Sequence, residues 1–203
     1  MSVESQVSDV MTSAQFSQES ISILVKGVEA QASGSIPYNF TANKALLKLY
    51  SSVLYKPSFL PSLKSLLLLS LPSSTEFDSL KHILPADALE PCKDVLECGR
   101  LLEDCAFEEF WKQAKVADVM EVKGLEDSIR TRILTDVSLG YSTLPSSTLL
   151  TYLSLSPNSP LTFDCIECVE GSSVVFKKTD YNGVKKGTKE TGIELNRIVA
   201  MMN

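Results

Sequence analysis

Leu101-Leu-Glu-Asp-Cys-Ala-Phe-Glu-Glu-Phe-Trp111, followed thirteen residues later by Gly124-Leu-Glu-Asp-Ser-Ile-Arg130, decides how this chain is read. The first run reads as the end of one amphipathic helix, a tight turn and the aromatic-faced start of the next. Cys98 and Cys105 are seven apart and share a helix face with Leu101 and Leu102, so they read as small core hydrophobes. Phe107, Phe110 and Trp111 put three aromatics on the following helix, where packing between consecutive helices is the expected use. The second run opens a helix after Gly124. Glu126 and Asp127 in its first turn suit the helix dipole, and Glu126 with Arg130 forms an i, i+4 pair worth only about 0.2–0.5 kcal/mol if exposed.

On the N-terminal side the same grammar repeats. Ile21, Leu24, Val25 and Val28 fall at i, i+3, i+4, i+7, an amphipathic helix over residues 17–32. A second helix opens at Thr41 with Ala45, Leu46, Leu49, Val53 and Leu54 inward. Residues 60–71 are apolar nearly all round, as suits the centre of a bundle. A short helix follows over 74–83, and Pro91 suits the first position of the helix that ends in the opening motif. Residues 1–16 lack a clear period and are expected to fray. Residues 1–122 thus predict an array of packed helix pairs, HEAT-like in plan though without a fixed sequence period.

After Gly124 the pattern changes. Helices are expected over 125–141, with Ile129, Ile133, Leu134 and Val137 inward, and over 146–155. Ser159 as N-cap and Pro160 as first residue predict a third helix ending near Gly171. Residues 173–178 read as a strand, Asp180-Tyr-Asn-Gly183 as a hairpin turn, 184–193 as a weak returning strand and 195–202 as a terminal helix. Three helices and a hairpin are the order of a winged helix over residues 123–203. The fold class expected is mainly α, a helical-repeat domain followed by a winged-helix domain.

Composition narrows the function. Hydrophobic residues make up 44% and charged residues 22%, ordinary globular usage. No apolar run reaches the ~18 residues a membrane span requires. The N-terminus has no basic region followed by an apolar one, so an intracellular protein with reduced thiols is expected. Cys165-Ile-Glu-Cys168 would need two further ligands to hold zinc, and the single histidine, His82, lies far upstream. No metal or cofactor is expected. With one histidine, no phosphate loop and no paired carboxylates facing each other, no catalytic set assembles and no enzyme is expected. Asn39-Phe-Thr41 matches a glycosylation sequon that an intracellular protein would not use.

Charge is unevenly placed. Residues 1–75 carry five bases and four acids, a net +1; residues 76–170 carry eight bases and eighteen acids, a net −10; residues 171–203 carry six bases and three acids, a net +3. The expected third winged helix has three acids and no base, which opposes duplex readout. The wing differs. Lys177, Lys178, Lys185, Lys186 and Lys189 surround Tyr181, a cluster that could meet RNA or an acidic protein surface, or that guards a strand edge against pairing. The terminal helix carries Ile198, Val199, Met201 and Met202, and is too short to be stable alone. It either packs back on its domain or docks on a partner.

Several runs carry a resemblance: Ala45-Leu-Leu-Lys-Leu-Tyr50, Leu71-Pro with Phe77, Leu101-Leu-Glu with Cys105, Phe107, Phe110 and Trp111, and Gly124-Leu-Glu-Asp-Ser-Ile-Arg130. Together they resemble the K-subunit family of eukaryotic translation initiation factor 3, from about Ala42 to Met202. The resemblance implies a helical-repeat domain followed by a winged helix, as in the PCI-like architecture. It implies a cytoplasmic, non-catalytic subunit of an assembly that binds the small ribosomal subunit and supports recruitment of initiator tRNA and mRNA. The L subunit and its neighbours are the partners implied, with RNA contact confined to the basic wing and no membrane. Small scaffold subunits of the proteasome lid or the COP9 signalosome share this plan, and a stand-alone winged-helix nucleic-acid binder is the reading from another class.

Overall fold

A computed structural model describes residues 2–13, 18–53 and 59–183. The described chain runs α1 (Val3–Ser13), α2 (Gln18–Ala32), α3 (Phe40–Val53), α4 (Leu60–Ser70), α5 (Ser74–Lys81), α6 (Ala86–Leu89), α7 (Lys93–Glu103), α8 (Phe107–Val116), a 3-10 turn (Val119–Glu121), α9 (Leu125–Gly140), β1 (Thr143–Pro145), α10 (Ser146–Tyr152), β2 (Ile166–Glu170) and β3 (Ser173–Phe176). Among the described residues the protein is mainly helical with one small antiparallel sheet, in the order β1-β3-β2.

The leucine-rich α4 forms the centre of the array. Leu63, Leu66 and Leu67 are fully buried, and the helix packs against α2, α3, α5 and α7. Between α2 and α3 the amides of Gln31 and Asn43, both buried, exchange two hydrogen bonds of 3.0 Å each. Gln31 also accepts the backbone N–H of Asn39 at 2.9 Å. Each polar atom is thereby satisfied, and the pair fixes how the two helices align. Asn39 itself accepts the N–H of Ala42, opening α3.

Three local expectations need correction in this half. Residues 3–13 form a helix rather than a frayed end: Val7 and Val10 are buried against α2, and the Ser2 hydroxyl accepts the N–H of Ser5. Burial of that stripe outweighs the weak helix propensity of valine and serine. Pro91 lies two residues before α7 rather than opening it, because the short α6 and its turn intervene. Finally, α7 stops at Glu103 and Cys105 is exposed. Cys105 takes φ +55°, its N–H reaches Leu102 O at 3.2 Å, and the N–H of Ala106 reaches Leu101 O at 2.9 Å. That is a Schellman ending, which turns the Cys105 side chain away from the core that Leu101, Leu102 and Cys98 occupy.

The thiols therefore divide. Burial pushes Cys92 up to about 11 and Cys98 up to about 12, so both stay protonated and unreactive at neutral pH. Alkylation of the native protein followed by peptide mapping should modify Cys105 and Cys168, which are exposed, and spare Cys92 and Cys98 until denaturant is added.

The larger correction concerns residues 160–171. No helix forms there. Residues 166–170 are β2, paired antiparallel with β3 across the Gly171-Ser172 turn. Ile166 and Val169 favour a strand, and β3 supplies a partner that a third helix would not have had. β3 is the central strand, with β1 on its other side in the register Leu144↔Val174. Both sides of β3 are thus occupied, by β1 and β2. Residues 184–193 and 195–202, expected as a returning strand and a terminal helix, lie outside the described residues. What is described is the winged-helix order of helix, strand, helix and hairpin, with a loop where the third helix was expected. One apolar core runs from Val7 to Phe176.

Candidate partner-binding surface

The two runs that open the sequence reading meet at the C-terminal end of α10. A helix leaves its last carbonyls without partners, and here each is accounted for. Leu149 O accepts from Leu153 N, Thr151 O from Ser154 N and Leu150 O from Leu155 N, at 2.9–3.0 Å. Tyr152 O accepts the indole N–H of Trp111 at 2.7 Å. Leu153 O accepts the Arg130 Nε–H at 3.0 Å. Trp111 comes from α8 and Arg130 from α9, so the end of α10 is clamped to the helical array by the first and to α9 by the second.

Packing and charge reinforce the clamp. The guanidinium carbon of Arg130 lies 5.6 Å from the Trp111 ring centre, within cation–π range. Phe107 meets Tyr152 edge-on at 5.3 Å. Phe110, Phe107 and Trp111 are all buried. Arg130 bonds Glu126 at 2.5 Å and Asp127 at 3.2 Å, with its own side chain only 19% exposed. The i, i+4 pair is thus partly buried, so the small value of an exposed pair does not apply to it. Gly124 precedes α9 with φ +76°, a left-handed conformation that a side chain would strain.

Arg132 carries no signal in the sequence, yet it holds the other side of α9. Its guanidinium donates to Leu71 O, beyond the last residue of α4, and to the Ser74 hydroxyl, both at 2.5 Å, and it faces Asp136 at 3.6 Å. Two arginines on one helix therefore tie the end of α4 and the end of α10 to the same strut.

The sheet presents an open surface. β2 is an edge strand, and Glu167, Cys168, Val169 and Glu170 are all exposed. Val169 lies opposite Val174, so it points to the same side of the sheet as a fully buried residue. It is nonetheless 50% exposed. The strand overhangs the core, offering the half-exposed Val169 beside a backbone edge that no other described strand pairs. Sequence reasoning missed this surface because it read the segment as a helix.

Lys177 and Lys178 follow β3 and are exposed, with the Lys177 N–H on Cys165 O at 2.9 Å. Tyr181 is 76% exposed. The turn that carries it is held by Asn182, whose side-chain N–H groups donate to Ser138 O at 2.8 Å, Lys177 O at 2.9 Å and Tyr141 O at 3.5 Å. The Asn182 side-chain oxygen accepts the Thr179 N–H at 2.7 Å. The hydrogen-bonded turn thus closes over the end of α9, next to the exposed Leu139 and Tyr141. Asn182→Ala should cost about 1–3 kcal/mol in urea denaturation, because Ser138 O and Lys177 O lose their donor. Lys185, Lys186, Lys189, Ile198, Val199, Met201 and Met202 lie outside the described residues.

Elsewhere the surface offers shallow troughs. One of about 370 Å³ lies between the α2–α3 connection, the α4–α5 turn and the start of α9, lined by Ile36, Tyr38, Leu69, Glu76 and Lys123. Among the described residues no group of His, Cys, Asp and Glu is arranged to hold a metal, and no helix is long and apolar enough to cross a membrane.

Residues 61–168, from α4 into β2, match the description of the CSN8/PSMD8/EIF3K family. The chain belongs to that family. It is 32% identical over 135 residues to the human and mouse proteins named eukaryotic translation initiation factor 3 subunit K, and 33% identical over 137 residues to the Xenopus laevis protein of that name. Each match covers 62% of this chain and 60% of the relative, so the chain spans about three fifths of the length of the curated relatives it matches.

Proposed function

We propose that this chain acts as a K-type, non-catalytic subunit of an initiation factor 3 assembly, working through protein interfaces in the cytoplasm. The observation that carries the reading is the α10 clamp. Trp111 and Arg130, the residues that make it, belong to the runs that resemble the K subunits, and both lie inside the segment that matches the family. Residues 1–122 act as the helical body, and residues 123–203 face partners.

The assembly meets the small ribosomal subunit and supports initiator tRNA and mRNA recruitment, with the L subunit and its neighbours as the expected contacts. The β2 edge and Val169 are the docking surface. Any RNA contact is confined to the lysines around Tyr181. A scaffold role in the proteasome lid or the COP9 signalosome is the second reading, since the family description covers CSN8 and PSMD8 as well. A stand-alone duplex reader is disfavoured by the loop that replaces the recognition helix and by the acids on β2.

Val169→Lys tests the surface. The side chain is half exposed, so the variant should melt like the wild-type protein while entering its complex poorly in a pull-down with initiation factor 3 subunits. Unchanged assembly would remove the β2 edge from the interface. Deleting residues 195–203 should likewise leave a folded protein that no longer assembles, and full assembly of the truncated chain would overturn that part.

A further inference from the structure

The loop between α10 and β2 contains Ser156-Pro157-Asn158-Ser159-Pro160, which neither the clamp nor the docking edge uses. The sequence has nine prolines, and only Pro157 and Pro160 are preceded by serine or threonine. Both dipeptides therefore fall in one surface segment. Leu155 on one side and Leu161 on the other pack against the core. Between them Ser156, Pro157, Asn158 and Pro160 are exposed, and Ser159 is half-buried.

The backbone suits recognition by an enzyme that binds an extended strand. Pro157 fixes its own φ and holds Ser156 away from helical geometry. Across the stretch, one backbone hydrogen bond closes the turn, from Ser159 N to Ser156 O at 2.9 Å. The residues it ties, Ser156 and Ser159, lie outside the core, and exposed loops of this kind are the segments enzymes such as proteases reach most readily. An enzyme pocket that accepts proline after the target serine requires no N–H at that position, and proline has none.

We propose that Ser156 is the acceptor for a proline-directed serine kinase. The Ser156 hydroxyl oxygen attacks the γ-phosphorus of ATP and the bond from that phosphorus to the β–γ bridging oxygen breaks. ADP leaves, and the hydroxyl proton passes to the kinase's catalytic carboxylate. Ser156 is the acceptor rather than Ser159 because it is the more exposed and its N–H is not committed to the turn. The product adds about −1.5 to −2 charges at pH 7 on the loop that leads into β2, the strand that carries Glu167 and Glu170. It is placed to oppose an acidic partner at that edge, a consequence that rests on the docking surface proposed above, whereas the modification itself does not.

The full chain is incubated with a purified mitogen-activated-type proline-directed kinase and Mg-ATP, then measured by intact mass and fragment mapping. One phosphoryl group per chain at Ser156 is expected, lost in Ser156→Ala and in Pro157→Ala and retained in Ser159→Ala. Thermal melts of all three variants should match the wild type, since the substituted positions lie outside the core. An unmodified wild-type protein, a phosphoryl group retained in Ser156→Ala, or full modification of Pro157→Ala would each overturn the proposal.

Discussion

Replacing Trp111 with alanine should lower the unfolding free energy by about 3–5 kcal/mol, the usual cost of removing a fully packed aromatic side chain. The ring is buried, lies edge-on to Phe110 at 5.0 Å and is covered on another side by Arg130. Its indole N–H is also the donor for Tyr152 O, so truncation leaves a helix-end carbonyl without a partner. The cost comes from three elements at once, because α8, α9 and α10 all meet at this residue. Urea denaturation followed by tryptophan-independent circular dichroism would measure it. A mutant of normal stability that failed to assemble would mean that the ring faces a partner instead of the core.

Gly99→Ala should also destabilise the protein, though by less. A Cβ built at Gly99 would lie 2.1 Å from a ring carbon of Phe77 and 2.4 Å from a second. Phe77 is 1% exposed, so its ring has nowhere to go and either α5 or α7 must shift. Overpacking of this kind costs roughly 1–3 kcal/mol, occasionally more, against the helix-propensity gain of about 1 kcal/mol that alanine normally brings over glycine. A double-mutant cycle separates the two terms. Phe77→Leu removes the clashing ring carbons, so Gly99→Ala should be far better tolerated in that background than in the wild type. Equal costs in both backgrounds would place the damage elsewhere on α7.

The helices were legible where the apolar period was regular, as in α2, α4 and α9. The architecture of an α-helical array followed by a small sheet-bearing unit was legible from the change of pattern at Gly124. The parts that were not legible depend on partners distant in sequence. Trp111 and Arg130 stand out in the sequence, but what they do is set by Tyr152 and Leu153, which are 41 and 23 residues away. Arg132 looks like an ordinary solvent-facing charge until Leu71, 61 residues upstream, is brought beside it.

Misreadings came from local signals that tertiary structure overrode. Ser159-Pro160 imitates a helix start, while the alternation of Ile166, Glu167, Cys168 and Val169 is as much a strand signal as a helical one. Pairing with β3 decided it. The seven-residue spacing from Cys98 puts Cys105 on a helix face, but the helix ends there through the Schellman pair, with Cys105 in a left-handed conformation that non-glycine residues seldom take. The valine stripe of α1 has weak propensity, and contact with α2 supplies the stability.

The β2 edge proposed as the docking surface was missed for the same reason as β2, since an edge exists only once a strand does. Val169 became conspicuous only when its register placed it opposite a buried valine while half its surface stayed open. The lysines and Tyr181 were visible from charge and aromaticity, but the Asn182 hydrogen bonds that fix their turn were not.

Affinity purification of the tagged full chain from its own cells at moderate salt, with mass spectrometry of the bound proteins, bears most directly on the assignment. Initiation factor 3 subunits, the L subunit among them, should co-purify in constant proportion. Recovery of proteasome-lid or signalosome subunits instead, or of nucleic acid with no subunits, would contradict it.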